Sequence, residues 1–332
     1  MPLINHCNGG GGTPQLCGQV ENFKVVSLGN NSLKLTWTAP SPDEDNSFVG
    51  ARIVRKTSSA PTGISDGTVV YEGTALTYTD TGLTAGTTYY YRAFAYNAKK
   101  KYQTELRVVS MTATNLKPNF ADNTWDEIVD ACHNNTALNS WVAGNSKTIT
   151  IDGVNYQFDI IGKNHDTYTA GGIAPLTFGM HNCYNTEARM DVSERSTSEW
   201  NTSEMRQTTL PNILAKMPGV IKNGIRAVNK PVANSAVDSS IITTSDKLFL
   251  LSEEEVIGQN IDAVATEGKQ YDYYKAGNSK IKKLNGENDW WWLRSPAVEY
   301  HGTGRFCRIT SDGGASDFGC IYTGGIAFAF CF

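Results

Sequence analysis

A chain of 332 residues, 40% hydrophobic and 19% charged, has the composition of a folded globular protein and the length of two ordinary domains. Its formal net charge of -4 gives no electrostatic basis for binding nucleic acid or an anionic membrane. No apolar run approaches the roughly 20 residues that cross a bilayer, so membrane insertion is not expected.

The opening MPLINHCNGG lacks a basic n-region and an apolar h-region, so no secretory signal is expected there and synthesis in a cytoplasm is. Residues 1–18, with Gly9-Gly10-Gly11-Gly12 and Pro14, read as a flexible leader or attachment segment. Residues 19–115 are short alternating runs. They comprise Phe23 to Ser27, Leu33 to Trp37, Ala51 to Lys56, Thr68 to Tyr71 and Tyr89 to Tyr96, with turns at Asn30-Asn31, Asp66-Gly67 and Ala85-Gly86. That texture predicts an all-β sandwich.

Residues 116–332 start with a linker-like Leu116-Lys117-Pro118. Thr124 and Glu127 then form a capping-box pattern ahead of a helix that places Trp125, Ile128, Val129 and Cys132 on one face. Lys147 to Ile151 alternates as a strand, Asp152-Gly153 supplies a tight turn, and Tyr156, Phe158 and Ile160 continue beyond it. A helix is expected over 202–217, with Met205, Leu210, Ile213, Leu214 and Met217 in the core and Pro211 blurring its bounds. Leu248 to Leu251 reads as a short strand, and Ser252 with Glu255 repeats the capping box. Next comes the aromatic run Trp290 to Pro296, then a polar, glycine-rich stretch without helical period. Finally Ile326 to Phe332 is apolar enough to be a buried central strand. The polar stretch is thus pinned between two anchors.

Trp37, the run Leu83 to Tyr89, and the alternation of Tyr91, Ala93 and Ala95 resemble a fibronectin type III domain. The resemblance implies that Trp37 is a core residue and Tyr89 a corner tyrosine. No Arg-Gly-Asp triplet is present, and a spacer role is implied. The remainder resembles a bacterial and phage family with a C-type lectin fold. The likeness is carried by Ile160 to Asp166, Trp200 with Ser203 to Arg206, Asp246 to Glu253, Glu267 to Tyr271, and Trp291 to Pro296. The implied fold class is a mainly β N-terminal sandwich plus an α+β C-type lectin fold, with domains at 19–115 and 116–332. Some members of that family resemble the variable proteins of diversity-generating retroelements, in which surface codons near the C-terminus are rewritten on a fixed framework. Residues 296–332 have that look, with Phe306, Cys307, Gly313 and Phe328 as framework. The glycine-rich leader joined to a fibronectin-like module resembles the layout of phage tail proteins. This implies a virion protein assembled in the host cytoplasm. It would contact other tail proteins through its N-terminal part and form homo-oligomers, as trimeric fibres do. A bacterial surface adhesin is the alternative setting.

Seven cysteines without any CxxC read as reduced, mostly buried thiols. Cys132, His133, His181 and Cys183 could be combined into a metal site, but the core face of the helix already accounts for Cys132, so neither metal nor cofactor is expected. No GxSxG, HExxH, P-loop or dinucleotide fingerprint occurs, and a non-enzymatic protein is expected. His165-Asp166 could act as a base and its orienter, though buried hydrogen bonding at a strand end accounts for the pair more simply. Sulfatase-modifying enzymes share the implied fold, but their metal-binding cysteine pair has no clear counterpart here. Arg294 reads as a salt-bridged or ring-stacked structural arginine. Of the three adjacent tryptophans only Trp290 and Trp292 can share a face.

For binding, alternation puts Cys307 and Ile309 inward and Arg308 and Thr310 outward. Glu299, Tyr300, His301 and Arg305 precede them, and Asp312, Ser316, Asp317, Phe318, Ile321 and Tyr322 follow. Tyrosine, arginine, phenylalanine and histidine among small residues make a paratope-like mixture, so these twelve are the expected ligand-binding residues. The expected partner is a host cell-surface protein or glycan. An ordinary solvated loop is the alternative, and joint exposure of Phe318, Ile321 and Tyr322 would weigh against it.

Overall fold

Asn30 and Asn31 both adopt positive φ, 45° and 54°, which is the backbone a two-residue hairpin needs. They join β1 (Glu21–Gly29) to β2 (Ser32–Thr38). β3 (Phe48–Lys56), β4 (Thr68–Gly73), β5 (Thr77–Asp80), β6 (Thr88–Asn97) and β7 (Val108–Thr112) follow. They form two sheets, β1-β2-β5 and β4-β3-β6-β7. The computed structural model describes residues 16–41, 47–193, 199–298 and 304–332, and the chain divides into units 1–118 and 119–332.

Strand alternation builds the core of the first unit. Leu33, Leu35 and Trp37 of β2 meet Ile53 of β3 and Tyr91, Ala93 and Ala95 of β6. The Tyr89 hydroxyl accepts the Thr84 N–H at 3.0 Å, closing a corner just before β6. Two boundaries differ from expectation. Cys17, assigned to the leader, is fully buried in this core; residues 1–15 lie outside the described residues. Leu116, assigned to a linker, is buried, and its carbonyl accepts the Asn30 N–H at 2.8 Å.

In the second unit α1 (Trp125–His133) carries both bonds of the Thr124–Glu127 capping box. β8 (Ser146–Ile151) and β9 (Val154–Lys163) are joined by Asp152 and Gly153, at φ 51° and 82°. β10 (Leu176–Met180) follows. The helix expected over 202–217 is broken instead. It consists of a 3-10 turn at Trp200–Thr202, a π turn at Met205–Thr209 and then α2 (Leu210–Lys216), with Pro211 in its first turn. Proline has no N–H to give to the preceding turn, and the backbone widens just before it, where the Leu210 N–H reaches the Met205 carbonyl. Leu214 is only half-buried.

α3 (Gly219–Gly224), the ribbon β11 (Val228–Ser235) and β12 (Asp238–Asp246), and β13 (Phe249–Leu250) come next. They precede α4 (Glu253–Ile257), α5 (Asp272–Lys275) and the hairpin β14 (Lys282–Leu284) and β15 (Glu287–Asp289). β16 (Trp291–Pro296), β17 (Arg305–Ile309) and β18 (Ala315–Gly319) make a three-stranded sheet. β19 (Phe328–Cys331) lies between β13 and β10 in the five-stranded order β13-β19-β10-β9-β8, and every residue of it is buried. Phe178, Phe330 and Phe332 pack with ring centroids 5.2–5.4 Å apart, and Trp125 of α1 closes over Phe178 and Phe332. The fold is therefore mainly β, and the chain's last strand is core.

Candidate functional site

The β17–β18 hairpin is held by its register. Phe306 lies opposite Phe318, Cys307 opposite Asp317, and Arg308 opposite Ser316. Opposed residues share a face, so Phe306, Arg308, Ser316 and Phe318 point one way, and Arg305, Cys307, Ile309 and Asp317 the other. Phe306, Cys307 and Ile309 are all buried, so both faces are partly covered.

Arg308 and Thr310 lie on the face opposite Cys307 and Ile309, as alternation implies, but both are half-buried there. The Arg308 guanidinium carbon lies 4.5 Å from the Phe318 ring centre and 4.8 Å from that of Trp290. The side chain is half-buried, and its Nε has no hydrogen-bond partner. Burial presses its pKa down, with Arg305 adding to this and Asp317 opposing it. Thr310 turns back into the loop, bonding to Asp312 and, at 3.0 Å, to the Gly314 carbonyl.

The rings form a continuous cluster. Trp290 meets Phe318 at 5.3 Å and Trp292 at 4.8 Å, and Phe318 meets Tyr322 at 4.7 Å. The Trp290 ring approaches Gly324 so closely that a Cβ there would come within 2.2 Å of it, and any larger residue at 324 would displace the indole. Tyr322 is 51% and Ile321 36% exposed, whereas Phe318 is half-buried beneath Tyr322. On the other face Arg305 is ion-paired with Asp317. The structure thus brings Arg308, Phe318 and Tyr322 together, and Arg305 with Asp317 separately. Thr310 and Asp312 occupy the hairpin tip. Glu299, Tyr300 and His301 lie outside the described residues. Trp290 was not among the expected site residues; it precedes β16, whose residues are all buried, and is itself only half-buried.

A second constellation lies in the interior. Lys230 Nζ stands 2.7 Å from Asp166 Oδ1 and 2.6 Å from Glu255 Oε1. Glu255 in turn receives Arg294 at 2.5 and 3.0 Å. Tyr271 donates to Asp166 at 2.8 Å, and Thr177 does so at 2.6 Å. Burial raises the Asp166 carboxyl, but Lys230 and these hydrogen bonds outweigh it and hold it at about 2. Burial raises Glu267 to about 7, against the pull of Arg294 and of bonds from Ser295 Oγ (2.6 Å) and the Ala233 N–H (2.7 Å). Arg294 is therefore a salt-bridged structural arginine. His165 differs from its expected role. It is half-buried and held by stacking 3.9 Å from the Tyr271 ring, and burial lowers its pKa.

His165, Asp166 and Glu255 bring ligand-type atoms within 4.8 Å of one another. The Lys230 ammonium already bridges both carboxylates, so a metal ion there would meet a fixed cation at salt-bridge distance. Cys132 is buried on the inner face of α1, and burial raises its thiol to about 12, an inert structural state. Cys183 is likewise buried and raised to about 12. His181 pairs with Asp159 at 2.8 Å and His133 with the Gly224 carbonyl at 2.8 Å.

Residues 18–111 match the fibronectin type III domain family, and residues 177–332 match a domain of unknown function, DUF6273. The N-terminal module is a fibronectin type III domain. No curated protein matches the chain. Among solved structures, the fibronectin type III domain of human fibronectin type III domain containing protein 3 is 21% identical, with a TM-score of 0.26. It spans 32% of this chain and 93% of its own. FN3tt is 18% identical over 31% of this chain and 99% of its own, with a TM-score of 0.25.

Proposed function

We propose that this is a ligand-binding protein in which the fibronectin type III module is a spacer and the β17–β18 face of the second unit is the recognition surface. The observation that carries the proposal is the cluster of Trp290, Arg308, Phe318 and Tyr322, which leaves an exposed aromatic and an unpaired guanidinium on one surface. Tryptophan, tyrosine and arginine are the side chains that dominate binding hot spots, and most of the area of such residues in a monomer is ordinarily buried or dispersed. The surface and the chain's central strand belong to different sheets. β19 is buried in the five-stranded sheet, while the hairpin hangs on β16.

The second unit is, on this proposal, a C-type-lectin-like domain, and the surface is one whose residues vary on a fixed framework. Phe306, Cys307 and Phe328 are fully buried, as a framework requires, and Gly313 turns the hairpin at φ 90°. The setting we infer is a phage tail tip or fibre that recognises a bacterial surface. The N-terminal part would join it to other tail proteins and the fibre would carry several copies. The test is saturable binding of the labelled full chain to a panel of intact bacterial strains, with the adjacent DNA read for a near-repeat of the 3′ coding end differing mainly at adenines. Binding to at least one strain is expected. No saturable binding to any strain that the parent particle infects would end the proposal.

A further inference from the structure

We propose that Arg308 is the specificity-determining residue of this surface and that its partner is a protein segment carrying a carboxylate beside an apolar side chain. The inference rests on the recognition surface proposed above. The other ion-paired groups near the hairpin are accounted for: Arg305 holds Asp317, and Arg294 holds Glu255. Among the described residues Arg308 has no carboxylate at salt-bridge distance and no side-chain hydrogen-bond acceptor, Asp317 acting on it only at longer range, and its Nε is buried without a partner. The Nε has given up water without gaining an acceptor, while the rest of the half-buried guanidinium has no salt-bridge partner, and an incoming anion supplies both.

The geometry selects the anion's shape. Trp290 and Phe318 lie 4.8 and 4.5 Å from the guanidinium carbon, so aromatic surface restricts the approach. A planar guanidinium presents paired N–H groups at its edge, which match a carboxylate's two oxygens. Tyr322 is exposed and packs on the same Phe318 ring that the guanidinium covers, so it offers apolar area to a neighbouring side chain on the ligand. A carboxylate with an adjacent apolar group fills both features at once, and an acidic peptide segment with alternating aromatic residues carries that pairing.

The test uses the full chain, isotopically labelled at tryptophan, with the Trp290 indole N–H signal identified by its loss in Trp290→Phe. The probes are a short peptide alternating Glu and Phe, its Gln-for-Glu counterpart, and free galacturonate. The acidic peptide is expected to shift the Trp290 signal and to bind at least about tenfold more tightly than the amide peptide, the ratio a charge-assisted pair provides. Added salt should shrink that ratio. Arg308→Gln should abolish it at unchanged melting temperature, and Arg308→Lys should keep only part of it, since an ammonium lacks the planar fork. Equal binding of the two peptides, or a preference that survives Arg308→Gln, overturns the inference. Galacturonate binding more tightly than the acidic peptide assigns the site to an acidic sugar and overturns the protein partner. If Phe318→Ala removes binding of both peptides while neither is preferred, the recognition surface stands and only the role of Arg308 falls.

Discussion

Replacing Lys230 by methionine tests whether the interior ion chain is held by that one cation. Glu255 keeps its two bonds from Arg294 at 2.5 and 3.0 Å, so the charge left exposed to the low-dielectric interior is Asp166. Asp166 would retain only uncharged donors from side chains hydrogen-bonded to it, the hydroxyls of Thr177 at 2.6 Å and Tyr271 at 2.8 Å and the Cys331 thiol at 3.7 Å. Breaking a buried pair by removing one partner costs about 3–5 kcal/mol, against total stabilities of about 5–15 kcal/mol. Lys230→Met should therefore come close to unfolding the second unit. Adding Asp166→Asn neutralises the stranded group while its amide oxygen still accepts from the same hydroxyls, so the double variant should recover about half or more of the loss. The loss should also shrink in acid. In the parent, Asp166 titrates at about 2, below its ordinary 3.8, and stabilises the fold above that range. Without Lys230 its pKa rises, and protonation then relieves the variant as the pH falls. Denaturant unfolding followed by tryptophan fluorescence reads the correct unit, because of the seven tryptophans only Trp37 lies before residue 119. A cost under about 1 kcal/mol for Lys230→Met, or no rescue in the double variant, would refute the reasoning, since a broken buried pair predicts several times more.

Glu267 has a folded pKa of about 7, above its ordinary 4.5, so the folded state holds the proton more tightly between those values. Stability should then be greatest near pH 4.5 on this account and fall by about 3 kcal/mol as pH rises through 7, at about 1.4 kcal/mol per unit. Glu267→Gln, which mimics the protonated form, should flatten that slope in a melting series across pH 4 to 8. Deleting Phe328 to Phe332 strips β19 from the middle of its sheet; each large core truncation costs about 2–5 kcal/mol, so the second unit should be unfolded by circular dichroism and fluorescence. Tyr89→Phe removes the acceptor of the Thr84 N–H and should destabilise the fibronectin type III domain by about 1 kcal/mol in denaturant titration.

Alternation and turn chemistry made the first unit legible: Leu33, Leu35 and Trp37 on one side, and paired asparagines where positive φ is needed. The capping boxes at Thr124 and Ser252 were equally plain, because their two bonds are local in sequence. The long-range ion chain was not legible. Lys230 sits at a buried position of β11, in register with Val228 and Val232, and a lysine at such a position is the one local sign that it has a partner. Glu255 read only as a cap, yet the same carboxylate serves Lys230 and Arg294. At the candidate site, alternation placed Cys307 and Ile309 correctly inward. It did not show that Trp290, fifteen residues or more upstream, would fold over Arg308, because period-2 logic says nothing about which ring arrives from another strand.

The central claim is that the Phe318–Tyr322 face recognises a ligand without holding up the fold. The most direct measurement is the Phe318→Ala/Tyr322→Ala variant of the full chain, compared with the parent for thermal unfolding and for binding to a bacterial strain the parent binds. Half-exposed rings should cost about 1 kcal/mol of stability together, whereas hot-spot rings lose at least about 2 kcal/mol of affinity each, roughly thirtyfold. The account predicts a nearly unchanged melting temperature and loss of cell binding; parental binding by a folded variant would contradict it.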